Sequence, residues 1–289
     1  MEARNLKHMK KVIYMMYSSV YNMGDMLNKD MIEELFNITV KNPTNFHCDM
    51  IGIGSGLASA LKPSNESFIT KDYIKSLFKQ GPFYVWGTGF INQLDGKDNE
   101  FKYKDVRILS LRGELTKERV EKILGRTLEI PLGDGGLLAE RWIGAVEKKH
   151  KIGIIPHYKE QDSPIIQDLL QHYDDAVLIN LRNDAAEVVK KIAECELILS
   201  SSLHGLIVAD SYHIPNCHIM FYDFGEKMMG DGYKFSDYYS SYSLKDEPII
   251  IKSKEDMPTF EFIRGNYRIE AKVVEAKKEA IYNAFKSIL

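Results

Sequence analysis

The sequence predicts an α/β protein built from two parallel β-sheets that are covered by helices. Short apolar runs alternate with amphipathic helical segments along most of the 289 residues, which is typical of parallel strands joined by helical crossovers. This length suits two domains of the usual size, roughly 100–200 residues each. Apolar residues make up 44% of the chain and charged residues 27%, which excludes a disordered chain, a collagen-like repeat and a coiled-coil rod.

In the first half, short apolar runs predict the strands and apolar residues at helical spacing predict the helices. Leu27, Met31 and Phe36 fall on one helix face, and Gly125 is placed to end a later helix as its C-cap. The predicted order is a strand at 12–17, a helix around 27–36, a glycine-rich run at 50–58, a helix at 72–79, strands at 83–87 and 106–111, and a helix at 116–124.

The second half repeats the alternation more regularly. Asn183 or Asp184 can serve as the N-cap of one helix, and the glycine-, tyrosine- and charge-rich segment 223–243 predicts a long functional loop with a short helix. The remaining elements are a strand at 152–155, a helix at 165–172, a strand at 176–181, a helix at 184–195, a strand at 197–200, a helix at 206–212, a strand at 216–221 and a helix at 268–289.

A charged stretch at 147–151 precedes a fresh strand and marks the predicted domain boundary. We expect Rossmann-like domains at 1–146 and 147–267 that face each other across a cleft, followed by the helix at 268–289. We expect this helix to pack on the N-terminal domain, whereas packing on its own domain and a free dimerisation tail are the alternatives. Its apolar stripe consists of Val273, Ala276, Ala280, Ile281 and Phe285.

Charge and cysteine content narrow the class of protein. Lysine and arginine number 38 and aspartate and glutamate 41, so the net charge is −3 and the global basicity of nucleic-acid-binding proteins is absent. Cys48, Cys195 and Cys217 have neither disulfide-framework nor zinc-cluster spacing, which predicts buried thiols in a cytoplasmic protein. The apolar run at 12–17 is shorter than a signal peptide's, and no window reaches the ~18 apolar residues of a membrane span. Peripheral membrane association stays open.

Ligands of parallel sheets bind beyond the carboxyl ends of the strands, and histidine and arginine follow several predicted strands here. His204 lies between the serines at 200–202 and an apolar helix, where hydroxyls and a helix start favour an anion. His157 and Arg112 follow strands of the second and first halves, respectively. The structural alternatives are a histidine that only caps or packs for His204 and a solvated loop residue for His157. For Arg112 they are a surface cation or a helix-start ion pair with Glu114.

Six short motifs, taken in order, resemble the polysaccharide pyruvyltransferase family. Each motif is weak alone, but the ordered set is fairly specific and spans roughly two thirds of the chain. The motifs are Asn22-x-Gly24-Asp25-x-Leu27, Gly87-Thr-Gly89-Phe90, Leu111-Arg112-Gly113, Gly133-Asp134, Pro156-His157-Tyr158 and Ser202-Leu203-His204-Gly205.

This resemblance implies a GT-B-like fold, with the acceptor on the N-terminal side and the donor on the C-terminal side. The implied reaction transfers a pyruvyl group from phosphoenolpyruvate to two hydroxyls of a hexose as a cyclic ketal, in the biosynthesis of exopolysaccharide, capsule or cell-wall glycan. Phosphoenolpyruvate is then a substrate, and we expect no cofactor and no metal. The acceptor sugar, its linkage and any lipid attachment are left open.

His204, His157 and Arg112 are the expected catalytic residues, because imidazole transfers protons near neutral pH and guanidinium pairs with phosphate and carboxylate. Ser202 stands where many family members have arginine, so the missing cation would come from Arg112, Arg182 or a lysine. Substrate contacts are expected from Ser201, Ser202, Gly205, Asn22, Gly24, Asp25, Gly133, Asp134 and Arg182.

Two other functions fit the same sequence features. A glycosyltransferase that uses a nucleotide-sugar would share the two-domain fold and would also need a helix start and an arginine for its diphosphate. A protein with a sugar pocket and no turnover is the other alternative, given Ser202. Fold analogy alone cannot choose among these functions.

Overall fold

The computed structural model describes residues 10–18, 22–43, 47–62, 79, 81–93, 99–221 and 232–289. In these ranges the strands form two parallel five-stranded sheets, which fits a two-domain Rossmann-like fold. The first sheet has the order β2-β1-β3-β4-β5, and the second has the order β10-β9-β8-β6-β7. The strands are β1 Val12–Met16, β2 Thr39–Lys41, β3 Met50–Ile51, β4 Phe83–Val85, β5 Val106–Ile108, β6 His150–Ile155, β7 Ala176–Leu178, β8 Cys195–Ser200, β9 Asn216–Phe221 and β10 Ile249–Ile251.

Helices connect these strands and cover the sheets. They are α1 Met23–Met26, α2 Asp30–Phe36, α3 Glu114–Leu124, α4 Ala139–Ile143, α5 Pro164–His172, α6 Ala185–Ala193, α7 Leu203–Ser211, α8 Tyr233–Ser240, α9 Phe260–Asn266 and α10 Ala271–Lys286. Short 3₁₀ turns lie at Leu57–Ala60, Gly135–Leu138 and Lys254–Asp256. Gly125 takes a left-handed conformation as the C-cap of α3, and Asp184 caps α6 by accepting the Ala186 and Glu187 amides, as predicted.

The central strands are apolar on both faces because helices cover both sides of each sheet. Strand β6 is buried from Ile152 onward, and β8 is buried except at Glu196. Register is set by pairs such as Ile154 with Leu199 and Met15 with Met50. All these strands run parallel, so the loops at their carboxyl ends gather at one edge of each sheet.

Two predicted elements differ from the structure, and a third lies almost entirely outside the described residues. Helix α7 begins at Leu203 rather than at residue 206, so His204 lies in its first turn, because Ser202 already provides the extended N-cap backbone. Cys195 belongs to strand β8 rather than to the preceding helix, since its main chain pairs with His150. The helix predicted at 72–79 lies outside the described residues, apart from residue 79.

The C-terminal helix α10 contacts both halves of the chain. Its buried stripe is Val274, Lys278, Ile281 and Phe285, whereas Ala276 from the predicted stripe is exposed. The Trp86 indole donates to the Ile281 carbonyl at 2.8 Å. Lys278 is fully buried because its ammonium donates to the Ser211 carbonyl and to Glu275. This helix joins the residues that follow β4 to those that end α7.

No helix in the described part of the chain is long and apolar enough to cross a membrane.

Replacing Phe285 by alanine tests how much the packing of helix α10 against the first half of the chain contributes to stability. Phe285 is fully buried, stacks on Phe36 at 4.1 Å between ring centroids and meets the edge of Trp86 at 4.9 Å. Removing a buried phenylalanine ring costs about 3–5 kcal/mol. We expect urea unfolding to show a loss in that range for Phe285→Ala. Leu289→Ala, at a position 46% exposed, is the control and should change the unfolding free energy by less than about 0.5 kcal/mol. Equal effects would contradict the packing described here.

Candidate active site

A cavity of about 540 Å³ lies at the carboxyl ends of strands from both sheets. Its wall includes residues that follow β1, β3 and β4 of the first sheet and β6, β7 and β8 of the second. The polar residues of the wall are Ser18, Asn22, Asp25, Ser55, Ser59, His157, Tyr158, Ser202, His204 and Lys234. Five of the residues predicted from the sequence therefore line one cavity, namely Asn22, Asp25, His157, Ser202 and His204.

His204 is held by close packing rather than by hydrogen bonds. Its ring lies so close to Gly24 that a side chain there would place its Cβ 2.1 Å from His204 Nδ1. Nε2 is buried, has no hydrogen-bond partner among the described residues, and lies 4.0 Å from Oδ1 of Asp134. Gly24 and Asp134 thus adjoin His204 from behind, and neither lines the cavity.

Burial, Lys234 and Arg112 together lower the pKa of His204 to about 3. The imidazole is therefore neutral at neutral pH while the cavity is empty. A neutral imidazole can accept a proton at one nitrogen and donate from the other. An anion bound beside it would favour the imidazolium and raise this pKa.

His157 follows β6 and reaches the same cavity. Its backbone amide donates to Ser201 Oγ at 2.9 Å and to Glu160 at 3.2 Å, while its ring contacts that of Tyr158. Burial, Lys234 and Lys159 lower the pKa of His157 to about 4. The cavity therefore contains two neutral imidazoles near a lysine.

Lys234 supplies a cation that the sequence motifs did not single out. It lies in the first turn of α8, lines the cavity and has no hydrogen-bond or ion-pair partner in the described part of the chain. Burial, with Arg112 and Lys159 nearby, lowers its pKa to about 8, although Glu160 acts in the opposite direction. The charge- and tyrosine-rich composition of 223–243 indicated a functional segment, but nothing in it distinguished this lysine from its neighbours.

Arg112 corrects one expectation, because it does not line the cavity. Its side chain is fully buried, and its Nε donates to Asp237 at 2.8 Å. The remaining donors bind the Gly54 carbonyl, Ser55 Oγ and the Phe90 carbonyl. With its donors occupied by protein groups, Arg112 fixes the wall behind Ser55 instead of presenting a fork to a ligand.

Four other predicted contacts also lie outside the cavity lining. Ser201 is buried and donates to Glu160, and Gly205 packs against Ser200, where a Cβ would come within 2.4 Å of its hydroxyl. Gly133 faces Ile281 and Leu137 of the interior. Arg182 is exposed and donates to the Tyr158 carbonyl at 2.9 Å, so it lies beside the rim. Local sequence could not distinguish these residues, which lie behind or beside the cavity lining, from those that form the lining.

Among the described residues, no group of three or more histidine, cysteine, aspartate or glutamate side chains is arranged to hold a metal ion.

Comparison with known proteins finds similarity to one family over part of the chain. The family model described as polysaccharide pyruvyl transferase matches residues 135–220. The predicted resemblance to this family is confirmed. The matched segment runs from the 3₁₀ turn before α4 to the end of β9, and it contains His157, Ser202 and His204 of the cavity wall.

Two individual proteins are also similar to this chain. The uncharacterized protein L143 of Acanthamoeba polyphaga mimivirus is 28% identical over 98% of this chain and 93% of its own length. The succinoglycan biosynthesis protein ExoV of Rhizobium meliloti (strain 1021) is 29% identical over 57% of this chain and 46% of its own length. The chain therefore aligns with nearly the whole of the viral protein but with less than half of ExoV.

Arg112→Lys tests whether the guanidinium is needed to hold the cavity wall. Lysine keeps the charge but cannot reach Asp237, Ser55 and the two carbonyls together, because it lacks the planar fork. Since breaking a buried ion pair costs about 3–5 kcal/mol, we expect a loss of unfolding free energy towards that range in urea. Arg107→Lys is the matched control, because Arg107 pairs with Asp105 at the surface. A stability equal to that of the wild type would show that Arg112 does not have this supporting role.

Proposed function

We propose that this chain transfers the pyruvyl group of phosphoenolpyruvate to two hydroxyls of a hexose in a polysaccharide, giving a cyclic ketal and inorganic phosphate. The observation that carries the proposal is one cavity lined by the neutral imidazole of His204, the ammonium of Lys234 and the hydroxyl of Ser202 at the carboxyl ends of both sheets. The match to polysaccharide pyruvyl transferases over residues 135–220 supports the same reaction.

The donor is a small trianion at most, with one phosphate and one carboxylate, and the cavity suits such a charge. Lys234 offers an ammonium, and the nine-residue helix α7 begins at Leu203, where free amides favour an anion. Ser202 adds a hydroxyl at the N-cap. We place the donor on this side of the cavity, with its phosphate towards Lys234.

The reaction transfers two hydroxyl protons, one to the donor methylene and one to the phosphate, and His204 is suited to these transfers. A C–H bond forms at the donor methylene, the first acceptor oxygen bonds to the neighbouring carbon, the C–O bond to phosphate breaks, and the second oxygen closes the ketal. Of the two hydroxyl protons, one replaces the proton given to the methylene and the other leaves with phosphate. His204 is placed in the cavity to shuttle these protons, a contribution of typically 10²–10⁴-fold.

We place the acceptor at Asn22 and Asp25, which line the cavity and carry amide and carboxyl groups suited to sugar hydroxyls. This division corresponds to an acceptor domain at 1–146 and a donor domain at 147–267 in a GT-B-like arrangement. ExoV is a succinoglycan biosynthesis protein, and this favours an acceptor in exopolysaccharide, with capsule and cell-wall glycan as related choices. The free thiols of Cys48, Cys195 and Cys217 favour a reducing, cytoplasmic location.

The deciding experiment is product analysis with phosphoenolpyruvate and a panel of galactosides, using mass spectrometry and NMR to detect a pyruvate ketal. We expect His204→Ala to abolish transfer while its circular dichroism and Tm stay close to the wild type. His172→Ala, at an exposed position on α5, is the matched control and should keep full activity. A His204→Ala enzyme with near-normal turnover would contradict the assigned role.

Ligand-induced stabilisation separates this function from that of a nucleotide-sugar glycosyltransferase. A ligand that binds only the folded state raises Tm, so phosphoenolpyruvate should raise it and nucleotide-sugars should not. The reverse result would favour the glycosyltransferase. Stabilisation by phosphoenolpyruvate without any ketal product would indicate a binding protein.

The pH dependence of donor binding tests Lys234. A lysine with a pKa of about 8 carries its charge below that pH and loses it above, so the KM for phosphoenolpyruvate should rise as the pH passes 8. Lys234→Met should raise this KM at least tenfold at pH 7, and Lys234→Arg should keep it low up to pH 9. Lys286→Met, at an exposed position of α10, is the charge control. A KM that is unchanged in Lys234→Met would remove Lys234 from the donor site.

A further inference from the structure

Asp134 and His204 lie close together in the interior, and each has a buried polar atom without a hydrogen-bond partner in the described part of the chain. These atoms are Oδ2 of Asp134 and Nε2 of His204. Nε2 lies 4.0 Å from the other carboxyl oxygen, Oδ1. Asp134 is fully buried. Buried polar atoms are nearly always paired, so two unpaired atoms on neighbouring side chains need an explanation.

Hydrogen-bond chemistry allows a simple explanation. An ionised carboxylate is only an acceptor, and the unprotonated nitrogen of a neutral imidazole is also only an acceptor. Two acceptors facing each other in a site closed to water repel, whereas one proton between them satisfies both. The separation of 4.0 Å exceeds a hydrogen bond, and catalytic hydrogen bonds are commonly long in unliganded enzymes and tighten when substrate binds.

Both groups are held in place by backbone rather than by their own flexibility. Asp134 Oδ1 accepts the Gly136 amide at 2.9 Å at the start of a 3₁₀ turn, which fixes the carboxyl in its loop. Gly87 lets that loop approach, because its φ of 60° is left-handed and a Cβ there would lie 2.6 Å from the Gly135 nitrogen. His204 is held in turn by Gly24. Each half of the chain thus contributes one member of the pair.

We propose that Asp134 and His204 share one proton and that Asp134 is a positioning and proton-storing residue that acts through His204. This assignment rests on the proposed pyruvyl transfer. When the anionic donor binds, the O–H bond of Asp134 breaks and an N–H bond forms at His204 Nε2, while the Nδ1 proton of the same ring passes to the donor methylene. An acceptor hydroxyl then returns a proton to Nδ1, and Nε2 returns its proton to Asp134. Asp134 does not contact the substrate.

The surroundings place the stored proton on the carboxyl group in the empty site. Burial, with a smaller contribution from the nearby Asp237, raises the pKa of Asp134 to about 7. Arg112 and the amides of Gly136 and Gly54 act in the opposite direction. Burial, Lys234 and Arg112 lower the pKa of His204. A bound trianion would lie on the cavity side of the imidazole. It would therefore raise the pKa of His204 more than that of Asp134. The proton therefore moves towards His204 when the donor is bound.

Asp134→Asn separates positioning from proton storage. The amide keeps the size of the side chain, can still accept the Gly136 amide and can donate to Nε2, but it cannot release a proton. We expect kcat to fall at least 10²-fold, with the KM for phosphoenolpyruvate within threefold of the wild type and Tm nearly unchanged. Asp210→Asn is the matched control, since Asp210 is a buried carboxyl of α7 held by Tyr238, Asn216 and Tyr267 outside the cavity. It should lower Tm and leave the pH profile of kcat unchanged.

A second measurement does not depend on catalysis. In protein labelled in its histidine rings, the NMR chemical shifts of His204 should change as Asp134 ionises, with a midpoint near pH 7. This titration step should be lost in Asp134→Asn and retained in Asp210→Asn. If the wild type makes no ketal, the proposed function fails and the NMR titration still decides the shared proton. If the wild type makes ketal while Asp134→Asn keeps kcat within threefold, or if His204 titrates identically in both proteins, the shared proton is excluded.

Discussion

The buried ion pair between Arg112 and Asp237 determines where the cavity wall lies. Both side chains are fully buried, so each charge depends on the other, and Thr116 adds two further hydrogen bonds to the same carboxylate. Gly113 permits this contact, because a Cβ there would lie 1.7 Å from the Asp237 carbonyl. The pair joins the segment after β5 to helix α8 over 125 residues of sequence. It thereby holds Lys234, three residues before Asp237, against the cavity.

Burial and positive neighbours explain why this cavity holds a lysine beside two neutral imidazoles. Burial, the larger cause, and nearby cations lower the pKa of His157, His204 and Lys234. A bound phosphate or carboxylate, as the proposed function requires, would raise all three pKa values together.

The C-terminal helix gives the two halves a common core. Ile281 and Phe285 contact Trp86, which follows β4, and the ammonium of Lys278 donates a hydrogen bond to the Ser211 carbonyl at the end of α7. Since α7 carries His204 and the segment after β4 lies beside the Asp134 loop, the same helix braces both members of the proposed proton-sharing pair. Changes in how α10 packs would therefore be transmitted to the distance between Asp134 and His204.

Local sequence was enough to predict the alternation of strands and helices and the helix caps Gly125 and Asp184. It also predicted that His157, Ser202 and His204 follow strands. These features are encoded over a few residues, because they depend on apolar periodicity and strand direction. It did not identify Lys234, or the burial of Lys278 on an amphipathic helix, because a lysine's environment depends on residues far away in sequence. Arg112 illustrates the same limit, since its motif is local but its partner Asp237 is not. Local sequence specifies which chemical groups follow the strands. Which of these groups face the cavity depends on long-range packing, because packing pairs the guanidinium of Arg112 with protein groups and turns Lys234 towards the cavity.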